Sequence, residues 1–371
     1  MKPPVALLLG LAVAYTTPRI LAAQEPADSS TDESAAANTL VPLPAVFYQP
    51  ETGTGFGLVT TYYFRIGTGR TLSDQPSSTQ LIAVYTTKKQ IVLQLSSQLY
   101  TAERRNWIFG QLDFSKFPNK YWGVGNATPD GAEEDYTPRL LQGKIEVQRR
   151  IAPALYVGAS VQAGHRAVLA RVDTGLLATG EAPGSSDGRI IGGGVLATYD
   201  TRSSVIYPRS GSLLQFRASG YSSAIGSSYD FATFTLDLRR YVTTFPSHVV
   251  ALRAYGIATT GAPPFDLLPQ VGGDVLLRGY FQGRFRDRNL VALQAEYRAP
   301  LIWRIGIVGF GAAGRVANRL DAFALDGVKV SAGGGLRFLL SRQEGLNIRA
   351  DFAYGFDVKS SGFYLAIGEA F

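Results

Sequence analysis

The chain has no cysteine and only two histidines among its 371 residues, and 18% of its residues are charged. Without cysteine there is no disulfide scaffold and no thiolate metal site. His165 and His248 stand apart, and neither lies in the His-x-Ser or Ser-Asn-Gly context that a barrel lipase needs. No cluster of His, Asp and Glu suggests a catalytic metal, and no glycine loop of the phosphate-cradling kind occurs. The sequence therefore predicts no catalytic residue, no metal and no cofactor, and does not read as an enzyme. Beyond the first two dozen residues there is also no apolar run of about 18 residues, the length a spanning helix needs. Mean hydropathy is close to zero, at +0.04. Such a test is blind to strands, in which every second residue faces water.

A formal charge of +7 raises the question of nucleic acid. The arginines, however, are scattered singly along alternating segments, with no basic helix or lysine-rich tail. The expected partners are instead anionic lipid head groups, including lipopolysaccharide, and no nucleic acid.

What the chain does have is glycine (41 residues), phenylalanine (20) and tyrosine (19), a balance that leans towards all-β structure with many tight turns. From Val41 onwards the side chains alternate. Ile91, Leu93, Leu95 and Leu99 interleave with Gln94, Ser96 and Gln98; Ile145 and Val147 with Lys144, Glu146 and Gln148; Leu214 and Phe216 with Gln215 and Arg217. Phe234, Leu236 and Leu238 interleave with Asp237 and Arg239, and Ile348, Ala350 and Phe352 with Asn347, Arg349 and Asp351. The clearest case is Val291, Leu293, Ala295 and Tyr297 against Gln294, Glu296 and Arg298. Polar faces that carry opposite charges and amides suit a wet lumen, and segments of about 10 residues cross a bilayer at a tilt of about 45°. The fold class is therefore all-β, a transmembrane antiparallel β-barrel of about 16 strands, with 14 as the alternative.

Residues 1–23 have the three-part form of a secretory signal peptide: Met1-Lys2, the apolar run Val5–Ala14, and Leu21-Ala22-Ala23 before the expected cleavage, with Ala12-Val13-Ala14 as a competing site. Residues 24–43, with Glu25, Asp28, Asp32 and Glu33 among small residues, read as a disordered leader, and residues 44–371 as the barrel. Ala127–Tyr136 and Gly175–Gly188 read as external loops. Trp107, Phe109, Phe114 and Phe117 read as aromatics of the membrane interface. Phe363, Leu365, Ile367 and Phe371 have the spacing of a C-terminal targeting strand that the barrel-assembly machinery recognises during biogenesis. His165 and His248 read as loop or interface residues.

Three stretches carry a resemblance. Asp200-Thr201-Arg202 with Tyr207-Pro208-Arg209-Ser210-Gly211 is similar to an Asp-x-Arg…Pro-x-x-Gly hairpin, so Asp200, Arg202, Pro208 and Gly211 are candidate motif residues. Gly272-Gly273 with Leu277-Arg278-Gly279-Tyr280 resembles an inward-folded loop with an Arg-Gly-aromatic tip, and Glu296-Tyr297-Arg298 resembles the strand that receives it. Together they resemble the barrel domain of the BamA/TamA superfamily, the bacterial surface antigen family. The resemblance implies a bacterial outer-membrane location and a part in insertion or export of proteins with a separate periplasmic partner or protein cargo. A passive or plugged pore, or a structural outer-membrane barrel, is the alternative.

Within that resemblance Arg278, Gly279, Tyr280 and Glu296 form a lumen-loop lock: a dehydrated guanidinium needs a carboxylate, and Gly279 lets the tip backbone approach the wall. The family's Phe-x-Asp-x-Gly on the next strand is here Phe310-Gly311-Ala312-Ala313-Gly314, so Ala312 supplies no charge and a weaker lock is expected. The short leader and Tyr121-Trp122-Gly123-Val124-Gly125-Asn126 are similar to the POTRA-less branch.

Overall fold

Sixteen strands close into one antiparallel barrel in the computed structural model, which describes residues 39–64, 77–101, 105–180, 182, 184–341 and 345–371. The expected signal peptide and residues 24–38 of the leader lie outside the described residues. In chain order the wall strands are β1 (Thr39–Gln49), β2 (Gly53–Phe64), β3 (Ser77–Thr86), β4 (Ile91–Thr101), β5 (Asn106–Lys116), β6 (Glu134–Ala152), β7 (Leu155–Arg171) and β8 (Gly188–Asp200). They continue as β9 (Gly211–Tyr221), β10 (Phe231–Thr243), β11 (Val249–Gly261), β12 (Asn289–Ile302), β13 (Ile305–Ala317), β14 (Lys329–Ser341), β15 (Leu346–Gly355) and β16 (Ser360–Ile367). Each pairs with its neighbours in sequence, and β1 meets β16.

The two faces divide as the alternation requires. Leu93, Ile145, Val147, Phe216, Leu236, Leu293 and Phe352 are exposed on the outside, where lipid covers them. Lys144, Glu146, Gln215, Arg217, Asp237, Arg239, Glu296, Arg298, Arg349 and Asp351 are buried towards the lumen. The lumen wall is not uniform. Inside β1 to β3 it carries an apolar cluster, Ala45, Phe47, Val59, Ile82 and Val84, packed together with Ile206 and Leu346. From β6 to β15 it is charged and internally paired: Glu146 takes Lys144 at 2.8 Å and Arg217 at 2.5 Å, and Asp237 takes Arg239 at 2.6 Å and Arg253 at 2.9 Å.

Among the described residues the long connections, including 117–133, 172–187 and 262–288, share one end of the barrel, the end that faces outwards in barrels of this kind. Turns such as 153–154 and 303–304 share the other.

Three expectations change here. Residues 39–43, read as leader, belong to β1, because they pair with β2 in register from Thr39↔Tyr63 onwards. Trp107 and Phe109 point into the lumen, stacked at 5.6 Å and buried, because odd positions of β5 face inwards at this end. The exposed ring at the turn end is instead supplied by Tyr199, Phe245, Tyr297 and Trp303. Finally, β16 stops at Ile367. Gly368 takes a left-handed φ of 84°, and Phe371 turns inside against Tyr241, Val249 and Ala251. Phe363 remains on the outer face of β16 and Leu365 and Ile367 remain on the strand, but Phe371 does not.

Candidate functional site

The connection between β11 and β12 enters the lumen and is fixed at its base and its tip. At its base, Gln270–Val271 pairs with Phe285–Arg286 as a two-stranded ribbon. The segment Tyr121–Asn126 holds this base. The Gly125 amide donates to the Arg286 carbonyl at 2.7 Å, Trp122 meets Phe281 edge-on at 5.3 Å, and Tyr121 packs on Phe265 at 5.0 Å with the Arg286 guanidinium over its ring. Arg284 donates to Thr128 and Asp130 of the same connection. The Tyr-Trp-Gly-Val-Gly-Asn run thus acts as the dock for the entering loop, a role its sequence alone did not disclose.

At the tip, Leu277, Arg278 and Tyr280 are buried. Gly279 has φ of 105°, and a Cβ there would lie 2.8 Å from the Gly355 nitrogen and the Tyr354 carbonyl carbon. Only glycine lets the two backbones approach so closely. The Gly279 amide donates to the Tyr364 hydroxyl at 2.9 Å, and Ser360 Oγ donates to the Gly279 carbonyl at 2.6 Å. Tyr280 donates its hydroxyl proton to the Val330 carbonyl at 3.0 Å.

Arg278 bridges two carboxylates. Nη2 donates to Glu296 Oε1, and Nη1 donates to Asp351 Oδ2 at 2.5 Å, while the guanidinium lies over the Phe310 ring, 3.5 Å from its centre. Glu296 also takes Arg298 at 2.8 Å, and Asp351 also takes Arg337 at 2.5 Å and Arg349 at 3.3 Å. Glu369 joins Arg337 at 2.8 Å and Arg298 at 3.8 Å, and Asp274 of the loop joins Arg349 at 2.5 Å. Four buried arginines and four buried side-chain carboxylates therefore form one network, in which Arg298 also donates to the Phe371 oxygen at 2.9 Å, and the opposite charges offset the desolvation each would suffer alone. Ala312 supplies no charge, and Asp351, two strands further on, supplies a second carboxylate beside Glu296.

The other motif lies at the turn end. Asp200 accepts from Arg202 in a two-pronged pair of 2.9 and 2.6 Å. Pro208 is buried, and Gly211 has φ of 95° with a Cβ position 2.1 Å from the Thr201 carbonyl oxygen. The hairpin leans inwards: Ile206 joins the apolar cluster inside β1 to β3, and Tyr207 lies 6.0 Å from the Arg298 guanidinium. His165 is exposed on β7, and His248 Nδ1 lies 2.6 Å from the Tyr297 hydroxyl at the turn end, so the two histidines do not converge. Among the described residues no group of His, Cys, Asp and Glu could hold a metal ion.

The seam between β1 and β16 differs from every other joint. β1 pairs with β2 over eleven register positions, and β15 with β16 over eight, yet β1 meets β16 only at Tyr48↔Leu365. Proline has no amide hydrogen, and the ladder to β2 runs unbroken past Pro42 and Pro44. The residues bonded to β2 are therefore the odd-numbered ones, and both prolines turn their donor-less edge towards the seam.

Comparison with known proteins places residues 79–371 in the Omp85 superfamily domain. The fold is similar to the crystal structure of BamA from Haemophilus ducreyi lacking POTRA domains 1–3, with a TM-score of 0.63 and 14% identity over 90% of this chain and 70% of that one. It is similar also to CdiB from Acinetobacter baumannii (TM-score 0.58, 12% identity, 89% of this chain and 59% of that one). CdiB from Escherichia coli gives a TM-score of 0.60 at 9% identity, over 92% of this chain and 64% of that one. The chain thus covers less than two thirds of either CdiB. No curated protein sequence matches significantly.

Proposed function

The chain belongs to the Omp85 superfamily and is a barrel of the outer membrane, and from that premise we propose that it inserts or exports polypeptides, working at the seam between β1 and β16 with a separate periplasmic partner. The observation that carries this reading is the single register pair, Tyr48↔Leu365, that closes the wall. A joint with so few backbone hydrogen bonds parts at a far smaller cost than its neighbours. In the outer membrane such a parting gives a polypeptide sideways access to lipid.

The test uses the absence of cysteine. A Tyr48→Cys, Leu365→Cys double variant, reconstituted in liposomes with its outer-membrane partners, is assayed for the rate at which an unfolded barrel substrate inserts. Insertion that stops on oxidation and returns on reduction supports the proposal. Equal rates in both states sink it.

A second reading is favoured by the loop in the lumen. Tip and base are both anchored, so the same structure suits a plugged, structural barrel. Planar-bilayer recordings separate the two pore readings: a closed barrel carries little current, and an open pore conducts steadily.

A further inference from the structure

The loop that enters the lumen touches both banks of the seam. On the β16 bank, Gly279 is held by the Tyr364 hydroxyl at 2.9 Å and by Ser360 Oγ at 2.6 Å. On the β1 bank, the Gln282 amide donates to Glu51 Oε1 at 2.7 Å. Glu51 sits in the turn between β1 and β2 and is 2% exposed. That turn is itself rigid. Gln90 Nε2 donates to the Glu51 carbonyl at 3.0 Å, and Lys88 Nζ to the Pro50 carbonyl at 2.5 Å. Gly279 and Gln282 are three positions apart, so a stretch of four residues crosses the seam from inside. Between the banks themselves the one register pair is Tyr48↔Leu365, and the rings of Tyr48 and Phe363 lie 5.9 Å apart.

We propose that residues 279–282 are a clasp that holds the β1–β16 seam shut, and that the seam parts when the clasp lets go of Glu51. This deepens the seam reading above by naming what regulates it. The two anchors are unequal. The β16 side is backed by Arg278, held between Glu296 and Asp351 with Phe310 against its face. On the β1 side the buried Oε2 of Glu51 has no hydrogen-bond partner. A buried carboxylate with one unsatisfied oxygen is the more readily released contact. Release at Glu51 leaves the loop tip seated on β16, so the loop moves with the last strand while the first hairpin swings free.

The test reads seam width without any cargo. Leu58 on β2 and Phe352 on β15 are exposed on the outer face, two strands either side of the joint, and introduced as cysteines they are the only thiols for spin labels. In nanodiscs, Glu51→Ala should shift the distance distribution outwards by about 5 Å, one strand spacing. Glu51→Gln keeps an acceptor oxygen for the Gln282 amide and should stay at the parent distance. SDS heat-modifiability of each variant checks that the barrel is folded. A folded Glu51→Ala barrel with the parent distance overturns the clasp, as does an equal shift in Glu51→Gln. The oxidation experiment on Tyr48 and Leu365 decides the seam's function separately, so a clasp without insertion activity and insertion without a clasp are distinguishable results.

Discussion

Asp351 on β15 lies 2.5 Å from Arg278 of the inward loop, 73 residues away in sequence, and gives it a second carboxylate beside Glu296. Its presence turns a single pair with Glu296 into a bridge, so the loop tip is tied to two strands of the wall at once. It also links the tip to Arg337 and Arg349.

Asp351→Ala takes away one of the two buried carboxylates that hold Arg278, and should cost about 3–5 kcal/mol of barrel stability. Arg278→Ala should cost a similar amount, because Glu296 and Asp351 both lose a buried partner. Once one partner is gone the pair has no interaction left to lose, so the double variant should lose less than the sum of the singles. Midpoints of heat-induced migration in SDS measure this; strictly additive losses, or an unchanged midpoint in Asp351→Ala, would refute the bridge.

Glu51 gives a pH dependence. Burial pushes its carboxyl up to about 7, with Asp274 raising it further and the Gln282 amide and Lys88 opposing. The folded state thus holds the proton more tightly than the unfolded one. The contribution of Glu51 to stability is full below pH 4.5, falls as pH rises, and has fallen by up to about 3 kcal/mol once pH passes 7. The midpoint of SDS heat-unfolding should therefore drop between pH 5 and pH 8 more in the parent than in Glu51→Gln. Parallel curves would show that Glu51 does not titrate in this window.

Trp122 holds the base of the loop and leaves the tip untouched. Trp122→Ala removes the edge-on contact with Phe281, so the base should loosen while the Arg278 network keeps the barrel intact. Bilayer recordings should show brief openings absent from the parent, with the SDS midpoint within about 1 kcal/mol of it. A silent, equally stable variant would mean that Trp122 does not dock the loop.

Gly211→Ala places a methyl group on the Thr201 carbonyl at a left-handed φ, and should destabilise the barrel by about 1–3 kcal/mol. Gly131→Ala, in open space within the 117–133 connection, is the matched control and should be neutral. Equal midpoints for the two would remove the argument for the hairpin motif.

The wall was legible because a period of two is local. Val291 to Arg298 assign their own faces, and each assignment holds on β12. The Arg278 motif could be read for the same reason that it could be misjudged. Ala312 sits where sequence order looks for the charge, but the carboxylate that Arg278 meets comes from Asp351 on β15, level with Val308 rather than Ala312. Nothing local in Arg349-Ala350-Asp351 announces that Asp351 faces the loop. Trp107 was misplaced because aromatic character suits both an interface and a packed lumen, and only the parity of β5 decides. Phe371 was placed on the strand because spacing alone cannot register the turn at Gly368. The seam contacts, with Glu51 and Gln282 separated by 231 residues, lay beyond any local pattern.

Pro42 and Pro44 have a consequence for crowding. A wall left unpaired along most of one strand is an open edge in a membrane packed with other barrels, and open edges recruit one another into continuous sheets. At two alternate positions this edge has no hydrogen to donate, so a neighbouring strand sliding alongside finds a ladder with rungs missing. The same two residues that leave the joint easy to part therefore keep separate barrels from fusing through it.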